Sequence, residues 1–224
     1  MNYQEIIDAG ISYSDRFTDS EVKNNLDVFL RFGEARLSRL LKVRKASVRA
    51  TVAVTPDTPY YSVPPDFGGL RDIQINSILD DGSEKRKPLR YMNPEQIELK
   101  SQETGNAGFE QQNDLGYYTI EANQFRVAPS PGVNDTLEIL YYQRILPLTS
   151  GNPNNWVSDD HPDMYLALLM YEIELFVKNH DTATGWESRL NTALDELEVT
   201  DVEERWSGTP LETRTDFNTG NRRP

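Results

Sequence analysis

The hydrophobic pattern of the chain changes its period twice. Apolar residues recur at helical spacing up to about residue 42, alternate with polar residues from about residue 47 to residue 144, and return to helical spacing after residue 155. Helical spacing gathers apolar side chains on one stripe, whereas alternation gathers them on one face of a strand. The pattern therefore predicts an α+β protein with helical ends and a strand-rich middle.

The two ends together predict four long helices. Residues 2–14 form the first, and the second follows Thr18 and Glu21, which have the spacing of a capping box. The third, 164–177, is apolar on nearly every face and must be covered by other elements, and the fourth has inward-facing apolar positions over 186–197. We expect these helices to close a four-helix bundle built from both chain ends.

The middle of the chain predicts a β-rich insertion. Its alternating segments are separated by turn sequences rich in proline, glycine, aspartate and asparagine. Around residues 64–69 two prolines exclude a central strand, and Gly68 and Gly69 permit positive φ. The predicted strands are 48–54, 60–63, 70–79, 87–91, 117–120, 124–127 and 137–144, with a short helix at 96–100 and a loop at 101–115.

These segments predict three parts. Residues 1–43 and 148–206 form the helical bundle domain, residues 44–147 the β-rich insertion domain, and residues 207–224 an extended C-terminal tail. The tail has too few apolar residues to fold alone, yet it alternates like a strand that lacks a sheet edge. An unstructured terminus with chance alternation is the other interpretation. The apolar side of this alternation is Leu211, Thr213, Thr215 and Phe217.

Charge is unevenly distributed along the chain. The net charge is -13, which argues against a protein that binds nucleic acid by covering its phosphates with cations. Residues 31–49 are nevertheless strongly basic, whereas residues 155–204 are strongly acidic. The two regions face water, pair within one subunit, or join neighbouring subunits. For the last alternative the candidate interface residues are Arg36, Arg39, Arg44, Glu196, Glu203 and Glu204.

Composition excludes several other classes of protein. The chain has no cysteine, so it has neither disulfides nor thiolate metal sites. It begins without the basic stretch and apolar core of a signal peptide, and no apolar run is long enough to cross a bilayer. We therefore expect synthesis in the cytoplasm and no membrane association.

Candidate catalytic or metal-binding residues are few. His161 follows two aspartates at a helix start, where capping explains these residues better than metal binding, and His180 fits a helix terminus. Glu172 and Glu174 leave open a glycosidase pair, but on a helix the two point to different sides. No phosphate-binding loop, dinucleotide fingerprint or nucleophile elbow is present. We expect no enzymatic activity, no catalytic or metal-binding residues and no cofactor.

Several stretches, taken in order, resemble the head-to-tail adaptor proteins of tailed bacteriophages. They are GEARLSRLL at 33–41, YSVPPDF at 61–67, FRVAPSP at 125–131, YYQR at 141–144, NW at 155–156 and PDMYL at 162–166. Each stretch is unspecific alone, so the resemblance depends on their order and spacing over most of the chain.

The resemblance implies a structural virion protein of the neck. In that family a twelve-subunit ring lies beneath the portal, joins the capsid vertex to the tail, and surrounds the channel through which double-stranded DNA leaves without specific binding. The implied partners are other copies of the chain, the portal protein, and tail nozzle, hub or fibre proteins. The C-terminal tail of the chain, residues 207–224, would then contact the portal. The candidate residues for this contact are Leu211, Thr213, Arg214, Thr215, Phe217, Arg222 and Arg223. The alternatives are another neck protein, such as a stopper or terminator, and a virion-associated cell-wall glycosidase.

Overall fold

A computed structural model of the chain describes residues 1–56, 58–78, 82–104 and 116–205. In these residues the fold is α+β, with six α-helices and a seven-stranded curled sheet. The helices α1 to α6 are Tyr3–Ser14, Ser20–Leu40, Pro94–Thr104, Trp156–Asp160, Pro162–Phe176 and His180–Arg205. The strands β1 to β7 are Ser47–Ala53, Tyr60–Ser62, Phe67–Ile78, Glu84–Tyr91, Gly116–Glu121, Gln124–Ala128 and Asp135–Gln143.

Local sequence explains where the helices begin. Asn2 and Glu5 form a reciprocal capping box at α1. The side chain of Asp19 accepts hydrogen bonds from the first backbone N–H groups of α2, so the predicted cap at Thr18 is wrong by one residue. Pro162 opens α5, as predicted, because its missing N–H is not needed at the first helical position.

The strands form one mixed sheet in the order β1-β7-β3-β4-β5-β6-β2. All neighbours are antiparallel except β4 and β5, whose parallel pairing is connected through α3. Strand β3 carries two register irregularities against β7, near Phe67 and Asp72. Such bulges bend a strand and increase its twist.

Aromatic contacts show that this sheet curls. Phe67 of β3 lies 5.7 Å from Phe125 of β6, centroid to centroid, and also 5.7 Å from Tyr141 of β7. In a flat sheet β3 and β6 would be about 14 Å apart, because neighbouring strands are spaced by about 4.8 Å. The curl therefore closes a small apolar core inside the sheet.

The four-helix bundle predicted from the sequence is wrong. The sheet is central to the fold, and the most extensive contacts between helices all involve α5, which is touched by α1, α2, α4 and α6. A bundle helix needs one apolar stripe, whereas α5 is buried on most sides and must be surrounded. The described chain also contains α3, which packs on β5 and β6 rather than on other helices.

Buried apolar residues form two clusters. One joins the helices to the chain just before β1 and just after β7, with Leu30, Leu37, Leu168 and Leu190 among its members. The other lies within the curled sheet and includes Ile75, Phe125, Leu137 and Ile139. Each cluster is built from side chains that the sequence pattern places on one face of a helix or strand.

Two glycines allow helices to approach α5 closely. A Cβ at Gly33 of α2 would lie only 1.6 Å from Leu168 Cδ2, and a Cβ at Gly10 of α1 would lie 2.5 Å from Leu169 Cδ2. Gly68 allows β3 to approach β7 closely, since a Cβ there would meet the carbonyl oxygen of Tyr142 at 2.9 Å. Gly68 and Gly69 thus do not use the positive φ predicted for them.

Two predicted segments extend beyond the described residues. The loop predicted at 101–115 begins with the last turn of α3, which ends at Thr104, and its remainder up to residue 115 lies outside them. The tail at 207–224 lies outside them entirely.

Candidate assembly interface

A buried polar network joins the helices to the segment that leaves the sheet. The segment at residues 144–155, here called the β7–α4 linker, runs along α2. The carboxylate of Glu34 in α2 accepts hydrogen bonds from the Leu148 backbone N–H at 2.7 Å and from the Tyr165 hydroxyl at 3.1 Å. Asn155 caps α4 and donates to the Tyr165 oxygen at 2.7 Å and to the Leu146 carbonyl at 2.8 Å. One network thus fixes α2, α4, α5 and the linker relative to one another.

Burial changes the proton affinity of Glu34. The side chain is 4% exposed, and desolvation raises the pKa of its carboxyl, although the hydrogen bonds from Leu148 and Tyr165 and the charge of Arg31 oppose this rise. Burial and the neighbouring Glu34 also raise the pKa of Tyr165. One carboxylate oxygen, Oε2, is buried without a hydrogen-bond partner. Glu34 therefore retains an unused acceptor.

A pocket of about 650 Å³ lies beside this network, between α2 and the β7–α4 linker. Arg31 and Arg39 of α2, Lys42 just after α2 and Arg144 of the linker line it, and we call it the cationic pocket. None of these four cations forms an ion pair with another residue in the described part of the chain. Glu34 is also part of the pocket wall. The pocket therefore carries a net positive charge on a protein whose overall charge is -13.

Helix α6 presents the opposite charge. Its buried side includes Leu190 and Leu197, which face α5. On the opposite side, at helical spacing, the exposed residues Asp195, Val199 and Val202 follow one another. Glu196 and Glu203 flank these residues, and neither forms an ion pair among the described residues. We call Asp195, Glu196, Val199, Val202 and Glu203 the acidic face of α6.

Some of the predicted interface residues pair within one subunit. Arg36 lies 2.7 Å from Glu187 of α6, and Arg44 forms an ion pair with Glu204 of α6. The backbone N–H of Arg44 also donates to Asp201 at 2.7 Å. The sequence left three alternatives open for the charged regions. For Arg36, Arg44 and Glu204 the structure shows the second one, which is pairing within a subunit.

The remaining predicted interface residues stay exposed. Arg39 lies in the cationic pocket, and Glu196 and Glu203 lie on the acidic face of α6. The structure does not bring Arg39 to either glutamate, because no α6 residue lines the pocket. The residues predicted to contact the portal, Leu211, Thr213, Arg214, Thr215, Phe217, Arg222 and Arg223, lie outside the described residues.

The candidate catalytic and metal-binding region takes part in ion pairs, hydrogen bonds and packing within the fold. Asp160 pairs with Lys45 at 2.7 Å, and this hydrogen bond and charge lower the pKa of Asp160. Glu174 is buried and accepts a hydrogen bond from Asn179 at 2.9 Å. Burial raises the pKa of Glu172, with Arg36 opposing the rise. Within the described ranges no three His, Cys, Asp or Glu side chains are grouped to hold a metal ion.

No helix among residues 1–56, 58–78, 82–104 and 116–205 combines the length and the apolar character needed to cross a membrane.

Sequence reasoning missed the role of Glu34 and the contribution of Arg144. Glu34 is the one acid in the basic stretch 31–49, and it lies between Leu30 and Leu37 on the buried side of α2. A lone acid beside an apolar stripe is the signal that could have identified it. Arg144 follows β7, so only the fold brings it to Arg39.

Comparison with known proteins gives one family. A family model described as SU10 adaptor protein matches residues 1–214 of the chain. A search of curated proteins finds no match.

Proposed function

We propose, since this chain belongs to the SU10 adaptor family and is therefore a structural adaptor of a bacteriophage, that its copies form a ring beneath the portal. The family implies a non-enzymatic role, a place in the virion and contacts with other neck proteins. The finer proposal is a ring of twelve copies that joins the capsid vertex to the tail nozzle, hub or fibres. The separation of a cationic pocket from an acidic helix face on one subunit is the observation that carries this proposal.

Ring closure requires two different faces on each subunit. A heterologous contact joins one patch to a different patch on the next copy, and it closes into a ring when the rotation per subunit allows. The unpaired cations of the pocket and the unpaired acids of α6 are opposite in charge and lie on different elements. They satisfy the chemical requirement for such a contact.

The ring would also form part of the DNA exit channel. DNA that must slide through a channel is not held by a surface of like charge, and the chain carries a net charge of -13. Two cations of the basic region, Arg36 and Arg44, are engaged with acids of α6. We propose that DNA passes through the lumen without specific binding.

We further propose that the sheet and the helices are separate functional units. The apolar cluster within the sheet and the cluster around α5 support a β-rich unit at 44–147 carried by helices from 1–43 and 148–206. Residues 207–224 form the tail in this proposal, and the alternation of Leu211, Thr213, Thr215 and Phe217 suits strand addition to a portal edge.

Native mass measurement with the portal tests this proposal. We expect the chain mixed with portal protein to add about twelve masses of 25.6 kDa per portal ring, without turnover of any substrate. A variant that lacks residues 207–224 is expected to bind the portal more weakly, while the isolated subunit keeps its thermal stability. Unchanged portal affinity of this variant would eliminate the tail proposal, and absence of any portal complex would eliminate the ring beneath the portal.

A further inference from the structure

We infer that the cationic pocket of one copy receives the acidic face of α6 from the adjacent copy. This inference rests on the proposed ring and identifies the two surfaces that close it. The occupant is therefore a second copy of this chain, held by carboxylates of α6 against the cations of α2 and the β7–α4 linker.

The pocket has the chemistry of a receptor for an acidic helix. Arg31, Arg39, Lys42 and Arg144 converge on it from α2, from the residues just after α2 and from the β7–α4 linker, and their own chain supplies none of them with an ion pair among the described residues. An incoming carboxylate would meet several guanidinium and ammonium donors at once.

Exposed apolar side chains lie beside the pocket and in the middle of the acidic face. Phe32 of α2 and Leu146 of the linker are each 58% exposed, beside residues that line the pocket. On α6, Val199 and Val202 are 58% and 53% exposed between the flanking acids. Burying such side chains contributes about 25 cal/mol per Å² of apolar surface, which adds affinity that ion pairs at a wet rim do not supply. Both surfaces therefore combine an apolar patch with complementary charge.

A single subunit cannot make this contact with itself. The acidic face lies on the side of α6 opposite Leu190 and Leu197, which pack towards α5, and the pocket contains no α6 residue. Arg36 and Arg44 tie the inner side of α6 to α2 and to the chain before β1. The outer side is consequently left for a neighbour.

Site-directed cross-linking tests this inference without competing thiols, because the chain has no cysteine. We would place Ala35→Cys in the pocket of one population and Val199→Cys on the acidic face of another, since both positions are exposed. A short bismaleimide would be added to rings assembled on the portal from an equal mixture. Lys23→Cys, on an exposed part of α2 away from the pocket, replaces Ala35→Cys in the matched control.

We expect a covalent dimer that joins positions 35 and 199, at least about tenfold more abundant than the control dimer, because the ring holds these positions at high effective concentration. Rings that form normally but yield no such excess would overturn the inference while leaving the ring proposal intact. Cross-linking of position 35 to the portal instead would also overturn it. Failure of any ring to form on the portal would overturn both.

Discussion

Replacing Glu34 with alanine is expected to lower the free energy of unfolding by about 3 kcal/mol, measured by urea denaturation. The change leaves the Leu148 N–H and the Tyr165 hydroxyl without the acceptor that they share, and each unsatisfied buried donor costs about 1–3 kcal/mol. The same carboxylate fixes α2, α5 and the linker relative to one another. We therefore expect its removal also to disturb the walls of the cationic pocket.

Glu34→Gln is the matched control for this loss. Its amide oxygen still accepts both hydrogen bonds while the buried charge is removed, so we expect its stability to stay within about 1 kcal/mol of the original. Equal losses for alanine and glutamine would contradict the account.

The sign of the pH dependence also follows from burial. Desolvation raises the folded-state pKa of Glu34 above its ordinary value of 4.5, whereas Leu148, Tyr165 and Arg31 limit the rise. The contribution of this carboxyl to the free energy of unfolding is therefore fully present below pH 4.5. It is lost as pH rises through the folded-state pKa of Glu34. Relative to Glu34→Gln, the original protein is expected to lose stability over that window, and a parallel pH profile for the two proteins would contradict the assignment.

Gly33→Ala is expected to destabilise the protein by at least about 2 kcal/mol, even though alanine favours a helix over glycine by about 1 kcal/mol. The added Cβ would lie 1.6 Å from Leu168 Cδ2 and 2.3 Å from Leu168 Cγ, so α2 must move away from α5 or Leu168 must leave its position. Leu168 is fully buried, which leaves it little room to move. Chemical denaturation and the thermal midpoint would report the change.

Two other glycines calibrate this measurement. Gly185→Ala in α6 meets no atom within 4 Å and should stabilise the protein by about 0.5–1 kcal/mol through helix propensity. Gly10→Ala, whose Cβ would lie 2.5 Å from Leu169, should fall between the two. Stabilisation by Gly33→Ala comparable to that by Gly185→Ala would show that α2 and α5 do not pack this closely.

Local pattern was sufficient to predict most elements. The alternation that begins near Val48 and the clean alternation from Leu137 to Tyr142 correspond to β1 and β7, and the apolar stretch 164–177 corresponds to α5. Periodicity succeeds here because it reports which face of an element is buried. It fails for the cap of α2, where Thr18 and Asp19 both suit the position and only backbone geometry decides between them.

The arrangement of these elements could not be obtained in the same way. The sheet pairs β3 with β7 and β1 with β7 across long stretches of chain, and alternation within a strand carries no information about its partner. The four-helix bundle was a wrong inference because the all-round burial of α5 is equally compatible with several neighbours around it. The helical spacing of α2 gives no sign that Gly33 is needed, because only the approach of Leu168 in the fold leaves no room for a Cβ there.

The candidate site was predictable only as an opposition of charge. Sequence indicated the basic region 31–49 and the acidic region 155–204, but it could not show that Arg36 and Arg44 pair with α6 of the same chain while Arg39 does not. The partners are separated by more than 150 residues, so their contact is a product of the fold. The addition of Arg144 to the pocket depends on the same long-range geometry.

Cryogenic electron microscopy of intact particles tests the central claim most directly. We predict density for this chain as a closed ring between the portal and the tail, with α6 of each copy against α2 of the next. Particles whose neck lacks the chain, or that hold it without contact between copies, would contradict the account.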